Sequence, residues 1–216
     1  MNSVRNTTKV IVTIAFFILA VTCNGQQVKQ SSDRIIADYC DGCDLMYEGI
    51  PLLKDISSET SLATKEEPGT RFELTGIVYQ KDGKTPAKDI VLYIYHTDAH
   101  GLYSPVKGQL HAKRNGHLRG WVRTDNKGLF KLKSIRPMPY PNARIPAHIH
   151  IVVKEPHKTL YYIDEVWFAD DSLITSEMKR KAEQRGGNLI ISLTKQGDTW
   201  KGNLKITLGL NIPNYF

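Results

Sequence analysis

From residue 71 onward, apolar and polar positions alternate in short runs separated by turn-forming residues, which is the period of β-strands. Phe72-Glu-Leu-Thr-Gly-Ile-Val-Tyr79 alternates, and Lys81-Asp82-Gly83-Lys84 then turns the chain. Ile90-Val-Leu-Tyr-Ile-Tyr95 is apolar throughout, as in a strand covered on both faces. Gly120 to Thr124 and Leu129 to Lys133 flank Asp125-Asn126-Lys127-Gly128, a spacing that predicts a hairpin with its glycine at positive φ. Ala147 to Lys154 and Leu160 to Phe168 are further strands. Ser172 to Gln184 holds helix formers, with an end signal at Gly186-Gly187. Leu189 to Leu193 and Leu204 to Leu210 close the pattern. Seven or eight short strands, one short helix and long loops argue an all-β sandwich.

The pattern is different before residue 71. Residues 24–70 are polar, with short apolar patches such as Ile50-Pro51-Leu52-Leu53, and read as an irregular leader. Residues 1–23 read as a targeting signal: Arg5 and Lys9 precede the apolar run Val10 to Val21, which is shorter than the ~20 residues a membrane-spanning helix needs. Ala20-Val21-Thr22-Cys23 resembles a lipoprotein cleavage box that would attach the chain to a membrane through lipidated Cys23. Small residues at Cys23 and Gly25 equally suit an ordinary signal peptidase. Both alternatives export the mature protein, as a periplasmic, outer-envelope or secreted chain.

Composition narrows the function classes. The 216 residues are 41% hydrophobic and 24% charged, which excludes a disordered tail or a multi-span membrane protein. Three cysteines are too few for a disulfide-built scaffold. In an exported chain Cys40-Asp-Gly-Cys43 reads as a short structural disulfide, and no further cysteine pair exists to complete a zinc site. The formal charge of +7 falls to +5 once Arg5 and Lys9 are assigned to the signal. The remaining basic residues are scattered between strands, so no nucleic-acid partner is expected.

The candidate chemistry lies in Arg136-Pro-Met-Pro-Tyr140-Pro-Asn-Ala-Arg144-Ile-Pro-Ala-His148-Ile-His150. Residues i and i+2 of a strand share a face, so His148 and His150 point together and suit a shared metal ion. Pro137, Pro139, Pro141 and Pro146 fix φ through the preceding loop and so hold Tyr140 in place. A trivalent metal beside a tyrosine would stabilise its phenolate at neutral pH. His96, His100, His111, His117 and His157 read as solvated or locally hydrogen-bonded.

The Pro-x-Pro-Tyr-Pro loop followed by Pro-Ala-His-Ile-His resembles the signature of the intradiol ring-cleavage dioxygenases, the ferric enzymes of the catechol and protocatechuate type. Tyr95-His-Thr-Asp-Ala-His-Gly-Leu-Tyr103 looks like the segment that delivers that family's other tyrosine ligand. Arg119-Gly-Trp-Val-Arg-Thr-Asp125 to Phe130 and Val166-Trp-Phe-Ala-Asp-Asp171 are similar to two further family segments, and the resemblance covers Phe72 to Leu210. It implies a prealbumin-like β-sandwich over 71–210 and a non-haem Fe(III) ligated by Tyr103, Tyr140, His148 and His150. It also implies a catechol-type substrate bound through both oxygens, with Tyr140 leaving the metal to take a substrate proton. Reaction with O2 would then open the ring between its hydroxyl-bearing carbons to a muconate-type dicarboxylate. Two phenolates and two imidazoles suit a hard trivalent ion, whereas the Fe(II) oxygenase site uses two histidines and one carboxylate.

Two positions depart from the family pattern. Ile145 stands where an arginine precedes Pro-Ala-His, with Arg144 one residue early, and Glu165 stands where a glutamine is usual. Arg144 and Glu165 therefore join Tyr140 as candidate catalytic residues. The helical amino-terminal dimerisation region of the catechol type is missing, and a homo-oligomer is compatible with the rest. Two readings compete with the enzyme: a metal-binding but inactive relative, and a non-catalytic cell-envelope β-sandwich module.

Overall fold

The structure, a computed structural model, describes residues 43–105 and 114–216. The expected signal segment, Cys23, Cys40 and His111 lie outside the described residues. Two 3-10 turns, Cys43–Tyr47 and Leu53–Asp55, precede β1 (Glu59–Ser61), β2 (Arg71–Tyr79), β3 (Val91–His96), β4 (Arg119–Arg123) and β5 (Leu129–Ile135). Then come β6 (His148–Lys154), β7 (Tyr161–Tyr162), β8 (Val166–Phe168), α1 (Ser176–Lys181), β9 (Ile190–Ile191), β10 (Thr194–Gln196) and β11 (Thr199–Thr207). Among the described residues no helix is long and apolar enough to cross a membrane.

The strands form two sheets, one ordered β1-β5-β2-β11-β10 and the other β4-β3-β6-β8-β9, with β7 also paired to β6. Their facing sides enclose one core. Phe72, Leu74, Phe130, Leu132 and Ile206 from the first sheet meet Leu92, Ile94, Ile149, Ile151 and Phe168 from the second, all at most 2% exposed. This is the all-β sandwich that the alternation requires, because each sheet must bury one apolar face.

Three local expectations are corrected. The predicted hairpin exists only as a turn: Gly128 takes φ +72° and its N–H donates to the Asp125 carbonyl. Its flanking strands part, β4 pairing with β3 in one sheet and β5 with β2 in the other. An added Cβ at Gly128 would lie 2.5 Å from the Val78 carbonyl oxygen, so the turn is pressed against β2. The expected strand from Leu160 to Phe168 is interrupted between β7 and β8, and the helix spans only Ser176–Lys181, capped by Thr175.

The described part of the polar leader, 43–70, is built onto the sandwich. β1 pairs in parallel with β5. Cys43, Leu45, Met46 and Ile56 pack on Val91, Tyr93 and Val152, which line the outer face of the second sheet. The Trp121 indole N–H donates to the Met46 carbonyl at 2.8 Å. Cys43 is disulfide-bonded. The segment covers the Val91, Tyr93 and Val152 side of that outer face, and Tyr95 packs both against this cluster and on His150.

Candidate metal centre

His148 and His150 alternate with Ile149 and Ile151, so the isoleucines enter the core and both imidazoles stand on the outer face. The proline-rich loop after β5 carries Tyr140 to them, and the loop after β3 carries Tyr103. These two loops are stitched together. The Thr97 hydroxyl donates to the Met138 carbonyl at 2.7 Å, and the Met138 N–H donates to the Asp98 carbonyl at 3.3 Å. Gly101, at φ +75°, leaves no room for a side chain, since an added Cβ would sit 2.1 Å from the Pro139 carbonyl oxygen.

Four donor atoms converge where the loops meet the strand. The Tyr103 and Tyr140 hydroxyls are 2.9 Å apart, the Tyr140 hydroxyl is 3.1 Å from His148 Nε2, and His148 Nε2 is 3.1 Å from His150 Nε2. His148 Nδ1 lies 2.7 Å from the Pro146 carbonyl, to which it donates. That bond turns the Nε2 lone pair toward the cluster, as a metal-ligating imidazole requires. His150 is stacked on Tyr95 with ring centroids 4.6 Å apart. Burial, followed by the nearby His148 and His96 rings, pushes the His150 imidazole down to about 3, so it is neutral. The Tyr103 phenol is held above its ordinary range, first by burial and then by the Tyr140 hydroxyl, with Tyr95 and Glu165 adding to the effect. Ionising it therefore takes a strong positive charge in the cluster.

The Tyr103 loop is fixed from behind. The Asp98 carboxylate accepts the His100 and Leu102 N–H groups at 2.8 and 3.1 Å and the Ser104 hydroxyl at 2.6 Å. The Ser104 carbonyl accepts both the backbone N–H and the Nδ1–H of His117, at 3.0 and 2.7 Å, and His117 Nε2 meets the Glu67 carboxylate at 2.9 Å.

The fold thus brings two tyrosine hydroxyls and two imidazole nitrogens together. A family model described as Dioxygenase matches residues 51–210, most of the chain. The chain belongs to the intradiol dioxygenase family. This dioxygenase relative is 28% identical over 175 residues to a chlorocatechol 1,2-dioxygenase of Rhodococcus opacus, and the match covers 71% of this chain and 65% of the relative's length. Its fold resembles the dioxygenase domain of a dioxygenase–carbohydrate-binding protein fusion from Streptomyces sp. SirexAA-E, with a TM-score of 0.55 at 22% identity, covering 74% of this chain and 94% of that one. It also resembles an intradiol ring-cleavage dioxygenase from Tetranychus urticae, with a TM-score of 0.52 at 18% identity, covering 78% and 93% of the two chains.

The remaining candidates fall around this cluster. Arg144 is exposed and makes no hydrogen bond or ion pair among the described residues, and Ile145 beside it is also exposed. Glu165 is exposed on the same face of the sheet, near enough for its charge to act on Tyr103. His96 is buried between the Thr97 carbonyl and the Ser134 hydroxyl, each 2.7 Å away, and His100 and His157 are exposed. Sequence reasoning overlooked Tyr95, Asp98 and the Glu67–His117 pair as supports of the site. Tyr95 was within reach, because strand alternation puts it on the outer face. Glu67 and His117 are 50 residues apart and carry no local signal.

Proposed function

We propose that this protein cleaves a catechol-type ring between its two hydroxyl-bearing carbons, using O2 and giving a muconate-type dicarboxylate. The observation that carries this reading is the convergence of two phenols and two imidazoles on one point, within a chain of the intradiol family. Tyr103, Tyr140, His148 and His150 would hold a non-haem iron as Fe(III), the ion for which paired phenolates and neutral imidazoles are suited. When bound, the iron would supply the Lewis acidity that activates a catechol toward O2.

The chain's own residues supply orientation and proton handling. The Pro146 carbonyl fixes the His148 tautomer, and the Tyr95 ring holds the plane of His150. Tyr140, whose hydroxyl lies between Tyr103 and His148, takes a substrate proton on its oxygen. Tyr103, whose loop is tied through Ser104 to Asp98 and His117, stays in place. Export is part of the proposal, supported by Arg5 and Lys9 ahead of the run Val10 to Val21.

The test is oxygen uptake by iron-loaded protein with catechol, hydroxyquinol and protocatechuate, alongside absorption spectra of the product. Uptake matched by formation of a ring-opened dicarboxylate is the expected result. Coloured, iron-containing protein that consumes no oxygen on any of them would instead identify an inactive relative.

A further inference from the structure

The outer face that carries His148 and His150 continues onto the neighbouring strands. Trp167 stands directly across from His148, and Ile190 directly across from Trp167. Glu165 immediately precedes β8, beside the Ile149–Val166 pair. Beside this row lies a cleft of about 380 Å³, walled by Glu165, Trp167 and Ile190 and by Lys179 and Glu183 around α1. The cleft begins one strand away from the imidazoles and lies on the same face of the sheet.

Its charged groups are unequal: Asp164, which also lines it, accepts the Arg185 backbone N–H at 3.2 Å. Glu183 is paired with Arg185. Lys179 is exposed on the helix. Glu165 makes no hydrogen bond or ion pair among the described residues and lines the cleft. An unpaired carboxylate beside an indole, next to the site that holds the catechol oxygens, is complementary to an ammonium group. The same carboxylate opposes a ring carboxylate, since like charges repel.

We propose that the cleft receives the ring substituent of the substrate, and that Glu165 selects catechols bearing an ammonium group over catechols bearing a carboxylate. This rests on the ring-cleavage reading above. Dopamine, catechol and protocatechuate serve as cationic, neutral and anionic probes for the iron-loaded full chain and for its Glu165→Gln and Lys179→Gln variants. Two readouts are needed: kcat/KM from oxygen uptake, and Kd from anaerobic titration followed by tryptophan fluorescence.

The unmodified protein is expected to favour dopamine over protocatechuate by about tenfold or more in both readouts, the combined scale of one attraction and one repulsion at a water-exposed carboxylate. Glu165→Gln should bring that ratio within about threefold, while Lys179→Gln leaves the preference for dopamine in place. A ratio that Glu165→Gln does not change, or a native preference for protocatechuate, overturns the selection by Glu165 even where catechol itself is cleaved. Failure to bind or cleave all three overturns the ring-cleavage reading together with the selection.

Discussion

Glu67 and His117 meet at 2.9 Å behind the Tyr103 loop, with side chains only 15% and 16% exposed. One ring nitrogen of His117 faces Glu67 and the other faces the Ser104 carbonyl, so the residue after Tyr103 is tied to a segment 37 positions earlier in the chain. Burial alone would lower the pKa of His117. The Ser104 carbonyl and the Glu67 carboxylate outweigh it, so the imidazolium is held above its ordinary range.

A raised folded-state pKa gives stability that is complete below the ordinary histidine value and is lost as pH rises through the folded value. Glu67→Gln in iron-free protein is therefore expected to lower Tm by about 3 °C at pH 5.5, with the gap closing by pH 9. Thermal melts of the two proteins across that range check it. An undiminished gap at pH 9 would mean that a neutral hydrogen bond, and no ion pair, joins the two residues.

The two tyrosines are expected to give iron-loaded protein a red-brown colour through phenolate-to-metal charge transfer. Tyr103→Phe and Tyr140→Phe together should abolish the visible band, whereas each alone should weaken it. Absorption spectra at matched iron content decide the point. A band that survives in the double variant would exclude phenolate ligation by this pair.

His148→Ala and His150→Ala each remove one of the four convergent nitrogen and oxygen donors. Loss of a ligand from a four-donor site should lower iron retention by at least about tenfold, as measured by metal content after dialysis against a chelator. Ile149→Val, which sits between them and faces the core, should keep the metal and cost about 1 kcal/mol of stability.

Gly101→Ala tests the stitch between the tyrosine loops. The positive φ disfavours any side chain by about 1 kcal/mol, and the new Cβ would collide with the Pro139 carbonyl. Since Pro139 immediately precedes Tyr140, the collision should drive the two phenols apart. A fall in Tm accompanied by faster iron release to a chelator is expected; a fall in Tm with unchanged iron release would show that the loops relax without moving the hydroxyls.

Much of this protein is written in local patterns. Alternation determined that β2 and β6 are strands and that His148 and His150 share a face. It did so because successive side chains of an extended chain must point to opposite sides. The prolines around Tyr140 and the Asp125 to Gly128 turn were legible for a similar reason, since each restricts φ on its own.

Tertiary structure decided what local pattern leaves open. Alternation states which face a residue takes but not which sheet its strand joins, so the two arms of the Asp125–Gly128 turn read as a hairpin yet pair with β3 and β2 in opposite layers. Residues 43–70 read as polar leader, because the few apolar side chains that pack on the second sheet's outer face make no periodic signal. Glu165 reaches the surroundings of Tyr103 only because β8 lies next to β6, and Glu67 reaches the Tyr103 loop only through the folded position of His117. Strand choice and loop contact are settled by packing between distant segments; the facing of each side chain is settled by the backbone it hangs from.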